Sequence, residues 1–106
     1  MNFDEYQQAI EKFAVYPREP ELTAIGYLAL GLNGVAGEVA EQVKKAIRND
    51  GQITNERRAK VLDEIGDVLW YVSRIASEFN CSLGDVAEQN VAKLEERRKL
   101  KNLKHE

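Results

Sequence analysis

Glu38 and Glu41 stand three residues apart in Gly37-Glu38-Val39-Ala40-Glu41, and Glu64 and Asp67 repeat the spacing in Asp63-Glu64-Ile65-Gly66-Asp67. On a helix, residues three apart occupy neighbouring points of one face. Each pair can therefore present two carboxylates together. Carboxylates converging from both pairs repel strongly unless a cation sits among them. Hard, all-oxygen donor sets suit Mg²⁺, with Mn²⁺ as the alternative, and Mg²⁺ usually keeps waters and shares itself with phosphate oxygens.

The elements that must carry these acids are helical. Phe3, Tyr6, Ile10 and Phe13 recur at helical spacing and predict a short first helix. Pro17 and Pro20 end it and prepare the next start. A long second helix is expected from about Glu21 or Thr23 to Arg48, with Leu28, Leu32, Val35, Val39, Val43 and Ala46 as its apolar stripe. Gly26, Gly31, Gly34 and Gly37 interrupt it. Each glycine costs a helix about 1 kcal/mol relative to alanine, so their concentration suggests close approach of another backbone or a ligand. Asn49-Asp50-Gly51 stops the helix. A third helix, from about Asn55 to Phe79, carries Val61, Ile65, Val68, Leu69, Val72, Ile75, Ala76 and Phe79. Ser82 with Asp85 resembles a capping pair for a fourth helix bearing Leu83, Val86, Ala87, Val91 and Leu94. Residues from about Lys99 onward are charged and expected to fray. No segment alternates as a strand would.

Helical-wheel arithmetic relates the acids to the packing stripes. With Val35 as zero, Glu38 falls at about 300° and Glu41 at about 240°. With Val61 as zero, Glu64 and Asp67 fall at about the same angles. Both pairs thus flank their stripes with one offset, and a short connection favours antiparallel packing that lets them meet. Acids beside a stripe also serve as a solvated, salt-bridged flank, and Glu41 has Lys44 and Lys45 within reach. The matched pairs on adjoining helices favour the shared cation.

Other side chains belong to the same neighbourhood. Tyr71 lies at about 280°, on the edge of Glu64 and Asp67, where it can pack against a nucleobase or sugar or simply border the core. Trp70 lies at about 180°, away from the stripe. It suggests a subunit interface, a substrate wall or a local aromatic contact. Asn90 falls inside the fourth helix's stripe, where a buried amide needs partners, and Lys93 follows at its edge. Together they can bind phosphate or sugar oxygens. Lys44, Lys45 and Arg48 follow Glu41 by one or two turns, within reach of a polyphosphate tail. Cys81 and His105 have no partner for nucleophilic catalysis.

Composition narrows the class. The 106 residues fit one domain spanning 1–106, and 43% hydrophobic residues suffice for a core. A net charge of −3 argues against a general grip on nucleic acid. A single cysteine excludes an internal disulfide and fits a reducing, cytoplasmic compartment. We expect no secretory leader, since Met1-Asn2-Phe3-Asp4 lacks a basic region, and no uninterrupted apolar stretch of membrane-spanning length.

Three segments resemble the MazG-like nucleotide pyrophosphohydrolases. They are Leu32-Asn33-Gly34-Val35-Ala36-Gly37-Glu38-Val39-Ala40-Glu41-Gln42-Val43-Lys44-Lys45, then Asp63-Glu64-Ile65-Gly66-Asp67-Val68-Leu69-Trp70-Tyr71, and Asn90-Val91-Ala92-Lys93-Leu94-Glu95-Glu96-Arg97. The resemblance runs from Tyr27 to Arg97 and is weakest in the third segment. It implies an all-α, four-helix bundle-like MazG fold whose core and site are completed by oligomerisation, as a homodimer or homotetramer. It also implies Mg²⁺-dependent hydrolysis of nucleoside triphosphates to monophosphate and pyrophosphate. Carried over, Glu38, Glu41, Glu64 and Asp67 would be the metal ligands; Glu38 and Glu41 are the candidates for the base, between which the sequence does not choose. Tyr71, Asn90 and Lys93 face the nucleotide, and Lys45 is placed for its phosphates. The family commonly has a glutamate where Val35 stands, so one carboxylate of the usual ridge is missing. Narrower relatives acting on dUTP or a phosphoribosyl nucleotide, and a non-catalytic helical oligomerisation module, are the alternatives.

Overall fold

A computed structural model describes residues 1–104; His105 and the end of the charged tail lie outside the described residues. The described residues form α1 (Phe3–Ala9), a 3₁₀ turn (Glu11–Phe13), α2 (Glu21–Arg48), α3 (Asn55–Glu78) and α4 (Leu83–Lys104), with no strand among them. The all-α expectation holds. The first helix is shorter than its stripe suggested. It is opened by a reciprocal cap between Asn2 and Glu5, and Phe13, beyond its end, is exposed.

Local chemistry sets the helix ends. The Thr54 hydroxyl accepts from Arg57 N–H at 3.2 Å and starts α3. Gly51, with φ of +70°, supplies the left-handed residue that turns the chain between α2 and α3. Arg57 then donates to Asp50 at 2.5 Å and to the Gln52 carbonyl at 2.8 Å, pinning that turn. Ser82 Oγ accepts from Asp85 N–H at 3.0 Å, so the expected cap of α4 is present.

The chief packing is α2 along α3, and α1 lies across α3 and α4. Gln7 ties this corner together. Its amide nitrogen donates to Ser77 Oγ and to the Cys81 carbonyl, each at 2.9 Å, and its oxygen accepts from Leu83 N–H at 2.9 Å. The buried apolar set is small: Ile10, Ala24, Leu28, Ala46, Ala76 and Leu83. Of the stripe read on α4, Val86, Val91 and Leu94 are exposed, because among the described residues α4 is only sparsely covered, by α1 and α3. By length and mean composition α2 could cross a membrane, but Glu38 and Glu41 interrupt its apolar run and it lies along α3.

Candidate functional site

The α2–α3 seam places Glu38 and Glu64 opposite each other. Their carboxyl groups approach within hydrogen-bonding range. Glu64 is half-buried, and its Oε2 is sealed from solvent without a partner. The Glu38 carboxylate, then burial, then the charges of Asp67 and Asp63 push the Glu64 carboxyl above its ordinary value. Asp67 joins the site through the field it exerts on Glu64. Glu41 stands apart: it turns to Lys44 at 3.2 Å, and that contact holds its carboxyl below the ordinary range. As the side chains stand, no group of three or more acidic, histidine or cysteine side chains among the described residues is gathered closely enough to hold an ion. The donor set nevertheless fits a divalent cation. An orphaned, buried carboxylate oxygen facing a second carboxylate is an unfavourable arrangement that a cation relieves.

One turn along the seam, Val35, Asp67, Trp70 and Tyr71 line a cavity of about 360 Å³. Tyr71 reaches it by lying over Gly31, where an added Cβ would sit 2.2 Å from Tyr71 Cε1. Gly31 is therefore the one glycine of α2 that answers the expected close approach; Gly26, Gly34 and Gly37 face open space. Of the readings open for Trp70, the structure shows the local aromatic contact. It is half-buried, edge-on to Tyr71 with ring centroids 5.0 Å apart and edge-on to Tyr16 at 6.3 Å. The reason is the segment after α1, which folds over that side of α3. Burial, and then the charge of Asp67, raise the Tyr6 hydroxyl, so α1 also brings a side chain towards this acid.

Towards the α2–α3 turn, a polar cavity of about 380 Å³ is lined by residues including Gln42, Lys45, Asn49, Arg57 and Lys60. Lys45 and Lys60 fall on the edge that carries Glu38 and Glu64, at about 280° and 260°. Asn90 and Lys93 share a shallower cavity of about 350 Å³ with Val86 and Gln89, on the uncovered part of α4. Within the chain this cavity shares no lining residue with the Asp67 cavity. Asn90 is exposed, which corrects the buried amide inferred from its place in the stripe; the stripe itself is open.

Residues 27–100, which carry both acidic pairs and the α4 polar residues, match the profile of the MazG nucleotide pyrophosphohydrolase domain. The chain belongs to the MazG family. It is 40% identical over 102 residues to the Gene 37 protein of Mycobacterium phage L5, covering 92% of this chain and 90% of that one. No solved structure matches it.

The segment before the matched MazG region contributes a group that sequence reasoning missed. Arg74, on α3, is fully buried. Its Nε and Nη2 donate to the Tyr16 hydroxyl at 3.2 and 3.0 Å, its Nη2 also reaches Glu78 at 3.3 Å, and its Nη1 pairs with Glu11. Tyr16 in turn donates to Glu78 Oε2 at 2.5 Å, and Arg18 closes on the same oxygen at 3.0 Å. Burial opposes the Arg74 charge, but its bonds to Tyr16 and Glu11 more than offset this and raise its pKa. Arg74 lies at about 220° on the α3 wheel, outside the apolar stripe. No periodicity marks it as buried; only the covering segment does.

Proposed function

We propose that this MazG-family chain is a Mg²⁺-dependent nucleoside triphosphate pyrophosphohydrolase, releasing the monophosphate and pyrophosphate from ribo- or deoxyribonucleotides. The observation that carries the reading is the Glu38–Glu64 contact, with its orphaned oxygen, inside the matched domain. Glu38, Glu64 and Asp67 would hold the ion, with Glu41 as a further ligand. When bound, the ion would neutralise phosphate charge and acidify a water.

The chain's own groups do the rest. The seam offers a polarity: the aromatic cavity at Tyr71, then the acids, then the polar cavity at Lys45, whose lining also includes Glu56. A nucleoside seats at Val35, Trp70 and Tyr71, so its α-phosphorus lies beside the acids. Lys45 stabilises the departing pyrophosphate, and Lys60 joins it on leaving Glu56, with which it pairs at 3.4 Å. A water oxygen bonds to the α-phosphorus, the bond to the β-bridging oxygen breaks, and the water's proton passes to Glu38 or Glu41. Lys44 keeps Glu41 a weak base until phosphate draws Lys44 away. Val35 leaves the cavity wall apolar where the usual family glutamate would charge it.

Assembly belongs to the same reading. Leu22, Leu30 and Ile47 are 80%, 76% and 74% exposed in the single chain, and Val91 and Leu94 are more than half exposed. A homodimer or homotetramer covers them and supplies Asn90 and Lys93 of one copy to the acids of another. The free thiol of Cys81 suits a cytoplasmic setting.

Product analysis on the nucleoside and deoxynucleoside triphosphates, with Mg²⁺ and with EDTA, tests this. Monophosphate and pyrophosphate are expected only with Mg²⁺, and Glu41→Gln and Asp67→Asn are expected to abolish them with helicity unchanged. Including dUTP and a phosphoribosyl nucleotide identifies a narrower enzyme. Silence on every substrate, with no Mg²⁺-dependent stabilisation, would point to the non-catalytic oligomerisation module, for which the missing carboxylate at Val35 is the supporting observation.

A further inference from the structure

Arg74 is the largest fully buried side chain of the fold, yet it touches neither acidic pair. A buried guanidinium among carboxylates is seldom the most stabilising filling for its volume. What it does here is fix the Tyr16 ring. With the hydroxyl gripped by Arg74 and Glu78, that ring is stacked on Tyr27 at 5.9 Å and 12° and stands edge-on to Trp70. Trp70 stands edge-on to Tyr71, and both line the cavity with Asp67. An unbroken line of contacts therefore runs from Arg74 to the cavity wall, through a tyrosine outside the matched MazG residues.

We propose that Arg74 is a positioning residue, which acts through the Tyr16 hydroxyl to hold Trp70 and so sets the shape of the cavity beside Asp67. The inference rests on reading that cavity as the nucleoside seat. Arg74 itself contacts no substrate. Its planar fork reaches Tyr16, Glu78 and Glu11 at once, which a lysine cannot reproduce.

Trp70 is the sole tryptophan, so its emission reports directly on the wall. The test compares wild type, Tyr16→Phe, Arg74→Lys and Arg74→Met in the full chain. Tyr16→Phe keeps the ring and leaves Arg74 its two carboxylates, so it is the variant expected to fold. In it, Trp70 emission is expected to shift to the red, and KM for the preferred triphosphate to rise about tenfold with kcat within about twofold. Arg74→Lys is expected to fall between wild type and Arg74→Met. Unchanged Trp70 emission and unchanged KM in folded Tyr16→Phe would overturn the proposal, as would losses in kcat and KM that merely track melting temperature. Should wild type hydrolyse no nucleotide, the functional reading falls while the emission comparison still decides the positioning role. A red shift in Tyr16→Phe supports it, and no shift refutes it.

Discussion

At the scale of single residues, the site turns on a missing methyl and an unpaired oxygen. Gly31→Ala would put a Cβ inside the Tyr71 ring's space, 2.2 Å from Cε1. The ring must move, and α2 cannot yield cheaply. The helix itself tolerates alanine well. The expected outcome is a folded protein whose KM for nucleotide rises at least tenfold, measured by pyrophosphate release; an unchanged KM would remove Tyr71 from the cavity wall. Glu64 gives a pH signature of opposite sign to most carboxylates. Its folded-state pKa is raised, so the native state holds its proton more tightly than the unfolded chain and stability falls as pH rises through that value. Glu64→Gln is therefore expected to melt above wild type in EDTA at neutral pH, with the gap closing on acidification. Added Mg²⁺ should stabilise wild type alone, as thermal melts at several pH values will show. Glu78 runs the other way. Burial pushes it up, but Tyr16, Arg18 and Arg74 win and lower it, so its stabilisation is lost only as pH falls through its depressed value. That Glu38 meets Glu64, with Asp67 and Tyr71 along the same seam, was legible in the sequence because spacing on a helix dictates who shares an edge; that Glu41 turns away to Lys44 is a choice of side-chain rotamer that spacing leaves open. Arg74, Tyr16 and Tyr6 were not legible, because their meeting depends on how the segment after α1 crosses α3.

At the scale of elements, the boundaries of α2 and α3 followed from residues whose effect is local: Pro20, the Asn49-Asp50-Gly51 stop, Thr54 and the Asn80-Cys81-Ser82 break. The environment of α4 did not, since a stripe says only that an apolar face exists, not what covers it. Asn90 was misplaced for that reason. The docking of α1 uses the Gln7 amide, together with Asp4, whose Oδ1 accepts from Gly84 N–H at 2.9 Å. Gln7→Ala removes three bonds of 2.9 Å to Ser77, Cys81 and Leu83. It leaves the Leu83 N–H without its cap, which we expect to cost about 1–3 kcal/mol in denaturant melts. A loss below about 0.5 kcal/mol would show that α1 is held mainly by its apolar contacts.

At the scale of the whole molecule, the single chain is open, and the proposed assembly rests on that. Its radius of gyration is 17.4 Å, against about 13 Å for a compact chain of similar length. Its long helices bury a handful of apolar side chains and leave broad ones exposed, which is what supports the proposed partner surface. Sedimentation velocity at micromolar concentration is expected to give a mass at least twice the 12.0 kDa of the chain. A well-behaved monomer would separate Asn90 and Lys93 from the acids and leave the site to α2 and α3 alone.

The decisive question is whether one divalent ion closes the α2–α3 seam. Crystals grown with Mn²⁺, measured at the manganese absorption edge, answer it. We expect one anomalous peak bridging Glu38, Glu64 and Asp67, with Glu41 swung away from Lys44 towards it. Full Mn²⁺ in the crystal with no peak there, and Glu38 and Glu64 still facing each other bare, would contradict the metal site and the hydrolysis built on it.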